Sequence, residues 1–248
     1  MRTVGNDILV IPDLHGRPFW REAVLGADGR HIVFLGDYAD PFPDEGLSPE
    51  QALAELEAVI SFKREHPDKT SLLLGNHDLQ YLWPDFPKTR FDERNARRYA
   101  SLYMENRDCF SLMASFQAEH LRVIFTHAGI LPGWLEANHN LFAGNDRDGD
   151  GTDSLENLNV LWRAGQDAQL CQSLSSISSA RGGKDTFGSP VWADVSEMQS
   201  APAIPGLFQV FGHTQQHDGP LITDNFACID CRRAFSLKEL LPQHFINS

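Results

Sequence analysis

Five short apolar runs in this chain each end in residues able to hold a cation or move a proton. Ile8 to Pro12 leads to Asp13-Leu14-His15-Gly16, and Ile32 to Leu35 leads to Gly36-Asp37-Tyr38-Ala39-Asp40. Leu72 to Leu74 leads to Gly75-Asn76-His77-Asp78, Val123 to Phe125 to Thr126-His127-Ala128-Gly129, and Phe208 to Phe211 to Gly212-His213-Thr214. Asp13, His15, Asp37, Asn76, His127 and His213 together mix hard carboxylate and amide oxygens with imidazole nitrogen, a donor set suited to Mn, Fe or Zn. Two such ions ~3.5–4 Å apart need one bridging ligand, and a carboxylate has two oxygens to share. Asp37, on the central loop, is the candidate. A hydroxide between the ions is a nucleophile at neutral pH, because metals lower the pKa of bound water from about 15.7 toward ~7. The same ions neutralise phosphate oxygens in an in-line displacement. His77 adjoins a ligand without being needed as one, so it can protonate the leaving oxygen.

These residues need a frame. A buried strand fixed in the core that delivers polar residues in the turn after it is the construction of an open α/β sheet, where ligands bind outside the carboxyl ends of strands. Asp13 and His15 have i, i+2 spacing, which in extended chain puts both on one side. Taken alone, such a DxH reads equally as a polar turn. Between the second and third strands, Ser48-Pro49-Glu50-Gln51 signals a helix start: Ser48 as cap, Pro49 in the first turn, Gln51 closing a capping box. Leu53, Leu56, Val59 and Ile60 keep helical spacing up to His66-Pro67, so one face packs on the sheet. Strand, helix and strand make a βαβ unit with parallel strands. Helical periodicity over Phe91 to Gln117 predicts a long helix carrying Tyr99, Leu102, Tyr103, Phe110, Met113 and Phe116. A short helix follows around Pro132 to Asn138, another over Leu155 to Arg163, and a mobile serine- and glycine-rich loop over Ser173 to Asp185. The short, closely spaced runs Leu207–Phe211, Pro220–Thr223, Phe226–Ile229 and Ala234–Leu237 predict an antiparallel set.

The totals bound the function. A chain of 248 residues suits one large domain and a sizeable core. The net charge of −13 disfavours nucleic acid and anionic lipid as partners. No apolar run is long enough to cross a bilayer, and Met1 to Asp7 does not read as a signal peptide, so a cytoplasmic location is the expectation. Of the four cysteines, Cys228 and Cys231 form a lone CxxC. Half a zinc site or a redox pair is one reading. Residues three apart on a strand face opposite sides, which favours separate reduced thiols. Asp146, Asp148 and Asp150, with Gly151, match the start of a calcium loop. The closing position holds Asn157 in place of a bidentate glutamate, and the alternative is a solvated acidic turn.

The series DLHG, GDYAD, GNHD, THAG and GHT, in this order and each after an apolar run, resembles the calcineurin-like metallophosphoesterases, and within them the serine/threonine protein phosphatases and their bacterial relatives. The resemblance runs from Ile8 to about Phe235. It implies a four-layer α/β/β/α sandwich with a dinuclear site between two mixed sheets. It implies one metal on Asp13, His15 and Asp37, a second on Asp37, Asn76, His127 and His213, and Asp40 orienting His77 as general acid. It also implies two divalent cofactor ions, with manganese expected and iron or zinc as alternatives. The pattern is broken at two arginine positions: Pro41 and Phe42 follow Asp40, and Leu74 precedes GNH. Arg163 and Arg181 resemble later arginine-bearing segments, and either can grip a phosphate through a bidentate contact. Thr214-Gln215 follows His213 where diester-cleaving relatives often carry a further histidine.

The expectation is therefore a single domain over 1–248, with segments 79–118 and 135–189 walling the site, that hydrolyses a phosphomonoester on a protein, nucleotide or small molecule. Competing readings are a phosphodiesterase or dinucleotide polyphosphate hydrolase, a non-catalytic scaffold, and a calcium-regulated module built on the acidic loop.

Overall fold

The computed structural model describes residues 2–3, 8–27, 29–118, 121–142 and 153–246. The first strands are β1 (Arg2–Thr3) and β2 (Ile8–Ile11), followed by α1 (Phe19–Leu25) and β3 (His31–Phe34). Next come α2 (Pro49–Glu65), β4 (Thr70–Leu73), the single turn α3 (Asn76–Leu79), α4 (Ala96–Glu105), β5 (Phe110–Ser111), β6 (Ala114–Ala118) and β7 (Leu121–Phe125). The second half carries α5 (Pro132–Ala137), α6 (Asn157–Arg163), α7 (Asp167–Leu174), α8 (Val195–Ser200), β8 (Leu207–Phe211), β9 (Leu221–Ile222), β10 (Phe226–Cys228) and β11 (Phe235–Ser236).

Two mixed sheets result. One runs β1-β6-β7-β8-β10-β9 and the other β11-β2-β3-β4-β5. Alternation along the strands sorts their side chains into two apolar clusters. Ile8, Val10, Val33, Leu35 and Leu73 face Val123, Phe125, Phe208 and Val210 in one cluster, shared by both sheets. Leu9, Ile11, Ile32, Phe34, Leu72 and Leu74 join Leu53, Leu56, Val59 and Ile60 of α2 in the other. Strands buried on both faces must read as unbroken apolar runs, and these do. α2 starts where Ser48 and Gln51 predict: Ser48 Oγ accepts the Gln51 N–H at 3.2 Å, and Gln51 Oε1 accepts the Ser48 N–H at 2.7 Å. β3 and β4 are parallel.

Three expectations are corrected. The helix read over Phe91–Gln117 stops at Glu105, and Phe110 and Phe116 lie on β5 and β6. Bulky residues spaced by three mimicked a helix, while the real signal was alternation: Ala114, Phe116 and Ala118 pair with Phe125, Val123 and Leu121. Segment 79–118 is therefore wall only in its first part, since β5 and β6 belong to the two sheets. The last strands are not an antiparallel set. β10 inserts between β8 and β9, parallel to the first and antiparallel to the second, and β11 crosses to the other sheet against β2. Finally, the serine-rich stretch is built chain. α7 runs to Leu174, Ser178 caps a turn over Ser179–Arg181, Ile177 N–H donates to Asp185 Oδ2 at 2.8 Å, and Ser189 Oγ donates to the Leu174 carbonyl at 2.7 Å. Among the described residues no helix is long and apolar enough to cross a membrane.

Candidate metal centre

The carboxyl ends of β2, β3, β4, β7 and β8 meet. Leu14 and His15 N–H both donate to the Asp37 carbonyl, at 3.1 and 2.7 Å, and Gly16 N–H donates to the Tyr38 carbonyl at 3.0 Å, tying the first two loops together. The Gly212 N–H donates to the His127 carbonyl at 2.8 Å, tying the last two. The turns are tight enough to force left-handed backbone on residues with side chains: His15 (φ 46°), Asp37 (53°), Asp40 (59°) and His213 (64°). Such conformations cost of order 1–3 kcal/mol each and gather at functional sites.

Two of the histidines are oriented by carbonyls. His15 Nδ1 donates to Ala39 O at 2.8 Å, leaving Nε2 3.6 Å from Asp37 Oδ2. His127 Nδ1 donates to Leu35 O at 2.9 Å, and its Nε2 faces Asn76 Oδ1 at 3.1 Å, His213 Nδ1 at 3.1 Å and Asp37 Oδ2 at 3.4 Å. His213 Nε2 is buried with no hydrogen-bond partner. Asp13 lies at the same place, both of its carboxylate oxygens 3.1 Å from the His213 amide nitrogen. Two groups of potential ligands thus share Asp37: His15, Asp37 and His77 in one, Asp37, His127 and His213 in the other.

The donor set fits a cation on electrostatic grounds. Asp13, Asp37, Asp40, Asp78 and Asp230 are all at most 3% exposed around this one region. Buried charge is tolerated only when compensated. Burial, with Asp230 beside it, pushes Asp13 well above the ordinary carboxylate range. Burial also opposes ionisation of Asp37, yet the neighbouring His127, His77 and His15 hold it well below. For His127, burial favours the neutral ring, but Asp37 and Asp13 outweigh it and lift the imidazole to about 10. His127 Nε2 lies 3.1 Å from both Asn76 Oδ1 and His213 Nδ1, a spacing that places a proton on His127 Nε2 or leaves room for a cation's ligands. Exchange of that proton for a metal ion is ordinary metal-site chemistry.

Beside the candidate ligands stands a histidine–aspartate pair. His77 Nδ1 is 2.8 Å from Asp40 Oδ2, and Asp40 also accepts from Gln80 Nε2 and the Tyr81 hydroxyl. The His77 N–H donates to Asp37 Oδ1 at 3.0 Å, tying this group to the shared ligand. A cavity of about 270 Å³ opens on the cluster, lined in part by His15, Asp37, Asn76, His77, Arg90, Arg181, Trp192 and His213.

The sequence reading missed the supports. Asp78 Oδ2 accepts the N–H of Asp37 and of Gly75 at 2.8 Å, and Oδ1 accepts from Tyr38 N at 3.0 Å and from the Tyr103 hydroxyl. It is a strut linking two ligand loops. Arg90 and Asp230 line the cavity and also went unread. Asp78 belongs to the GNHD run and was within reach of sequence reasoning; Arg90 carries no local signal.

Of the arginines expected at the phosphate, Arg181 lines the cavity, held by Asp194 at 2.9 Å and donating to Thr214 Oγ1 at 2.6 Å. Arg163 does not. It is exposed at the end of α6 and lines a separate cavity of about 430 Å³ with His31, Thr70 and Arg122, residues at the opening ends of their strands. Its neighbour Trp162 is buried, and Trp162 Nε1 donates to the Phe110 carbonyl at 3.0 Å. Asp146, Asp148 and Asp150 lie outside the described residues. The four cysteines are unpaired; Cys228 ends β10 and is buried, whereas Cys231 lies beyond it and is half-buried.

The family model for calcineurin-like phosphoesterases matches residues 7–217, a span containing every candidate ligand named above. The chain belongs to the calcineurin-like phosphoesterase family. Its members hydrolyse phosphoesters with divalent metal ions, and both sheets and the clustered His and Asp residues of this phosphoesterase agree with that membership. Among solved structures, it is similar to a protein serine/threonine phosphatase from Saccharomyces cerevisiae with similarity to human phosphatase PP5, at 16% identity and TM-score 0.47, over 92% of this chain and 70% of that one. It is also similar to the phosphatase domain of the Legionella effector WipB, at 13% identity and TM-score 0.40, over 59% of this chain and 56% of that one. No curated protein matches the chain in sequence.

Proposed function

We propose that this phosphoesterase is a dinuclear-metal phosphomonoesterase. The observation that supports the reading is the shared position of Asp37, whose Oδ2 lies 3.6 Å from His15 Nε2 and 3.4 Å from His127 Nε2, between the two histidines. Asp13, His15 and Asp37 would hold one divalent ion, and Asp37, Asn76, His127 and His213 the other. Manganese suits this mix of oxygen and imidazole donors, as do iron and zinc. When bound, the pair of ions supplies a water of lowered pKa and neutralises the phosphoryl oxygens.

The chain's own residues do the rest. Asp40 accepts the Nδ1 proton of His77, which leaves Nε2 to deliver a proton to the leaving oxygen. Tyr81 and Gln80 hold Asp40 in place, so the ring cannot swing. Arg181 adds positive charge to the same wall. Phosphorylated protein, nucleotide or small molecule are the substrate classes in view, and no membrane or nucleic-acid surface is needed for any of them. The test is hydrolysis by metal-loaded protein of p-nitrophenyl phosphate, bis(p-nitrophenyl) phosphate, a phosphopeptide and a dinucleotide polyphosphate. Monoester turnover that exceeds diester turnover and disappears in Asp37→Asn supports the reading. Diester or dinucleotide turnover far above monoester turnover replaces it with the phosphodiesterase or dinucleotide hydrolase alternative.

A further inference from the structure

Arginines near the cavity are mostly spoken for by carboxylates. Arg17 bonds Glu45 through Nε and Nη2, both at 2.8 Å; Arg181 contacts Asp194; Arg232 contacts Glu45 at 3.1 Å. Arg90 differs. Among the described residues it makes no ion pair with a carboxylate. Its guanidinium carbon lies 3.7 Å from the centre of the Phe42 ring, and its Nη2 is 3.3 Å from each ring nitrogen of His15. A guanidinium stacked on an aromatic ring keeps its plane and its in-plane N–H groups for another partner.

The backbone is built to put it there. Arg90 adopts φ 46°, a left-handed conformation that a long side chain rarely takes without cause. The residue before it is clamped on both sides by one side chain: Gln80 Oε1 accepts the Thr89 N–H at 2.8 Å, and Gln80 Nε2 donates to the Thr89 carbonyl at 3.1 Å. The same Gln80 amide donates to Asp40, the partner of His77. Arg90 is thereby held in fixed relation to the proton donor as well as to His15.

We propose that Arg90 binds the non-bridging oxygens of the substrate's terminal phosphate, and that this contact makes the site select a phosphomonoester dianion over a diester monoanion. The proposal rests on the phosphomonoesterase reading and names the residue that sets its specificity. A guanidinium on the cavity wall without a carboxylate partner gains most from the ligand that brings most charge. A monoester presents three non-bridging oxygens and two negative charges, so a planar fork can take two of them at once. A diester offers one charge spread over two non-bridging oxygens.

Two measurements on the metal-loaded full chain decide it: calorimetric titration with inorganic phosphate, and steady-state kinetics with p-nitrophenyl phosphate and bis(p-nitrophenyl) phosphate. In Arg90→Gln, phosphate affinity is expected to fall about 10–100-fold, as for loss of a charge-assisted bidentate contact. Monoester kcat/KM falls by a similar factor with KM rising, diester kcat/KM changes less than about threefold, and the preference between them collapses. Arg90→Lys recovers only part of the loss, since an ammonium cannot form the fork. Phe42→Leu, which keeps the charge and removes the stack, weakens phosphate binding by a smaller factor, about 3–10-fold. Unchanged phosphate affinity in Arg90→Gln overturns the proposal, as does an equal fall for both esters. A change in metal uptake without a change in phosphate affinity also overturns it, since Arg90 then serves His15 alone. If the wild-type protein hydrolyses neither ester, the phosphomonoesterase reading fails, while the phosphate titration still decides whether Arg90 is an anion contact.

Discussion

His77 and Asp40 carry a signature that separates proton donation from simple charge. If His77 protonates the leaving oxygen, its loss should matter in proportion to the basicity of that oxygen. His77→Gln is expected to lower kcat about 10²–10⁴-fold for an alkyl phosphate and far less for p-nitrophenyl phosphate, whose leaving group needs no proton. A uniform loss across leaving groups would assign His77 to binding instead. Removing the hydroxyl that steadies Asp40, with Tyr81→Phe, should produce a milder version of the same pattern. At this scale the sequence was most informative for the residues proposed to touch the reaction. Asp13, His15, Asp37, Asn76, His77, His127 and His213 each follow an apolar run directly, so the strand that positions the residue also announces it. The supports were silent for a physical reason: Tyr81 and Tyr103 reach Asp40 and Asp78 from 41 and 25 residues away, and an aromatic at helical spacing reads as core. Arg90 is placed by a turn clamped from Gln80, and no local pattern encodes such a turn.

Strand ends are the elements that matter, and two of them close on the site through glycine. A Cβ on Gly75 would lie 2.1 Å from Asp37 Oδ1 and 2.7 Å from His127, and a Cβ on Gly212 would lie 2.0 Å from Asp13 Oδ1. Gly75 has φ −101°, open to any residue, so the methyl group strikes the ligands without straining the backbone. Gly75→Ala is therefore expected to keep the fold, by circular dichroism, while cutting metal affinity and turnover at least about 10-fold. Ser48→Ala makes the converse case. Loss of the α2 cap should cost about 1 kcal/mol of stability and leave turnover unchanged, because α2 braces the outer face of the sheet and touches no ligand. Sequence pattern specified α2 completely, since cap, apolar stripe and stop all lie within it. It failed where pairing is non-local. Nothing in Phe226–Cys228 says that it will insert beside β8, and in Phe110–Ala118 a short alternation competed with bulky residues at helical spacing.

For the whole molecule, the concentration of buried carboxylates couples stability to pH and to cations. In the metal-free protein His127 stays protonated up to about 10 because Asp37 and Asp13 outweigh the effect of burial, whereas an unfolded histidine releases its proton near ~6.5. Burial and the charge of Asp37 push Asp78 up to about 7. Both groups make the folded state hold more protons than the unfolded one between pH 7 and 9. Stability must then fall as pH rises through that window, by an amount on the order of 2–3 kcal/mol, most of it from His127. Thermal melts of chelator-treated protein at pH 7, 8 and 9 check the slope, and a divalent ion in excess should flatten it by taking the place of the proton. The α/β class followed from apolar runs and one amphipathic helix, while the second sheet followed only from the family resemblance. The convergence of five strand ends was an inference from fold logic, since residues from 13 to 213 share no local constraint. Everything proposed for the reaction depends on that convergence holding two cations. The most direct measurement is titration of metal-stripped protein with Mn2+, following bound metal per chain and p-nitrophenyl phosphate turnover together. The account predicts that turnover appears as the bound metal approaches two ions per chain and that Asp37→Asn, lacking the bridge, reaches neither. Full turnover in the presence of chelator, or Asp37→Asn behaving as wild type in both readouts, would contradict it.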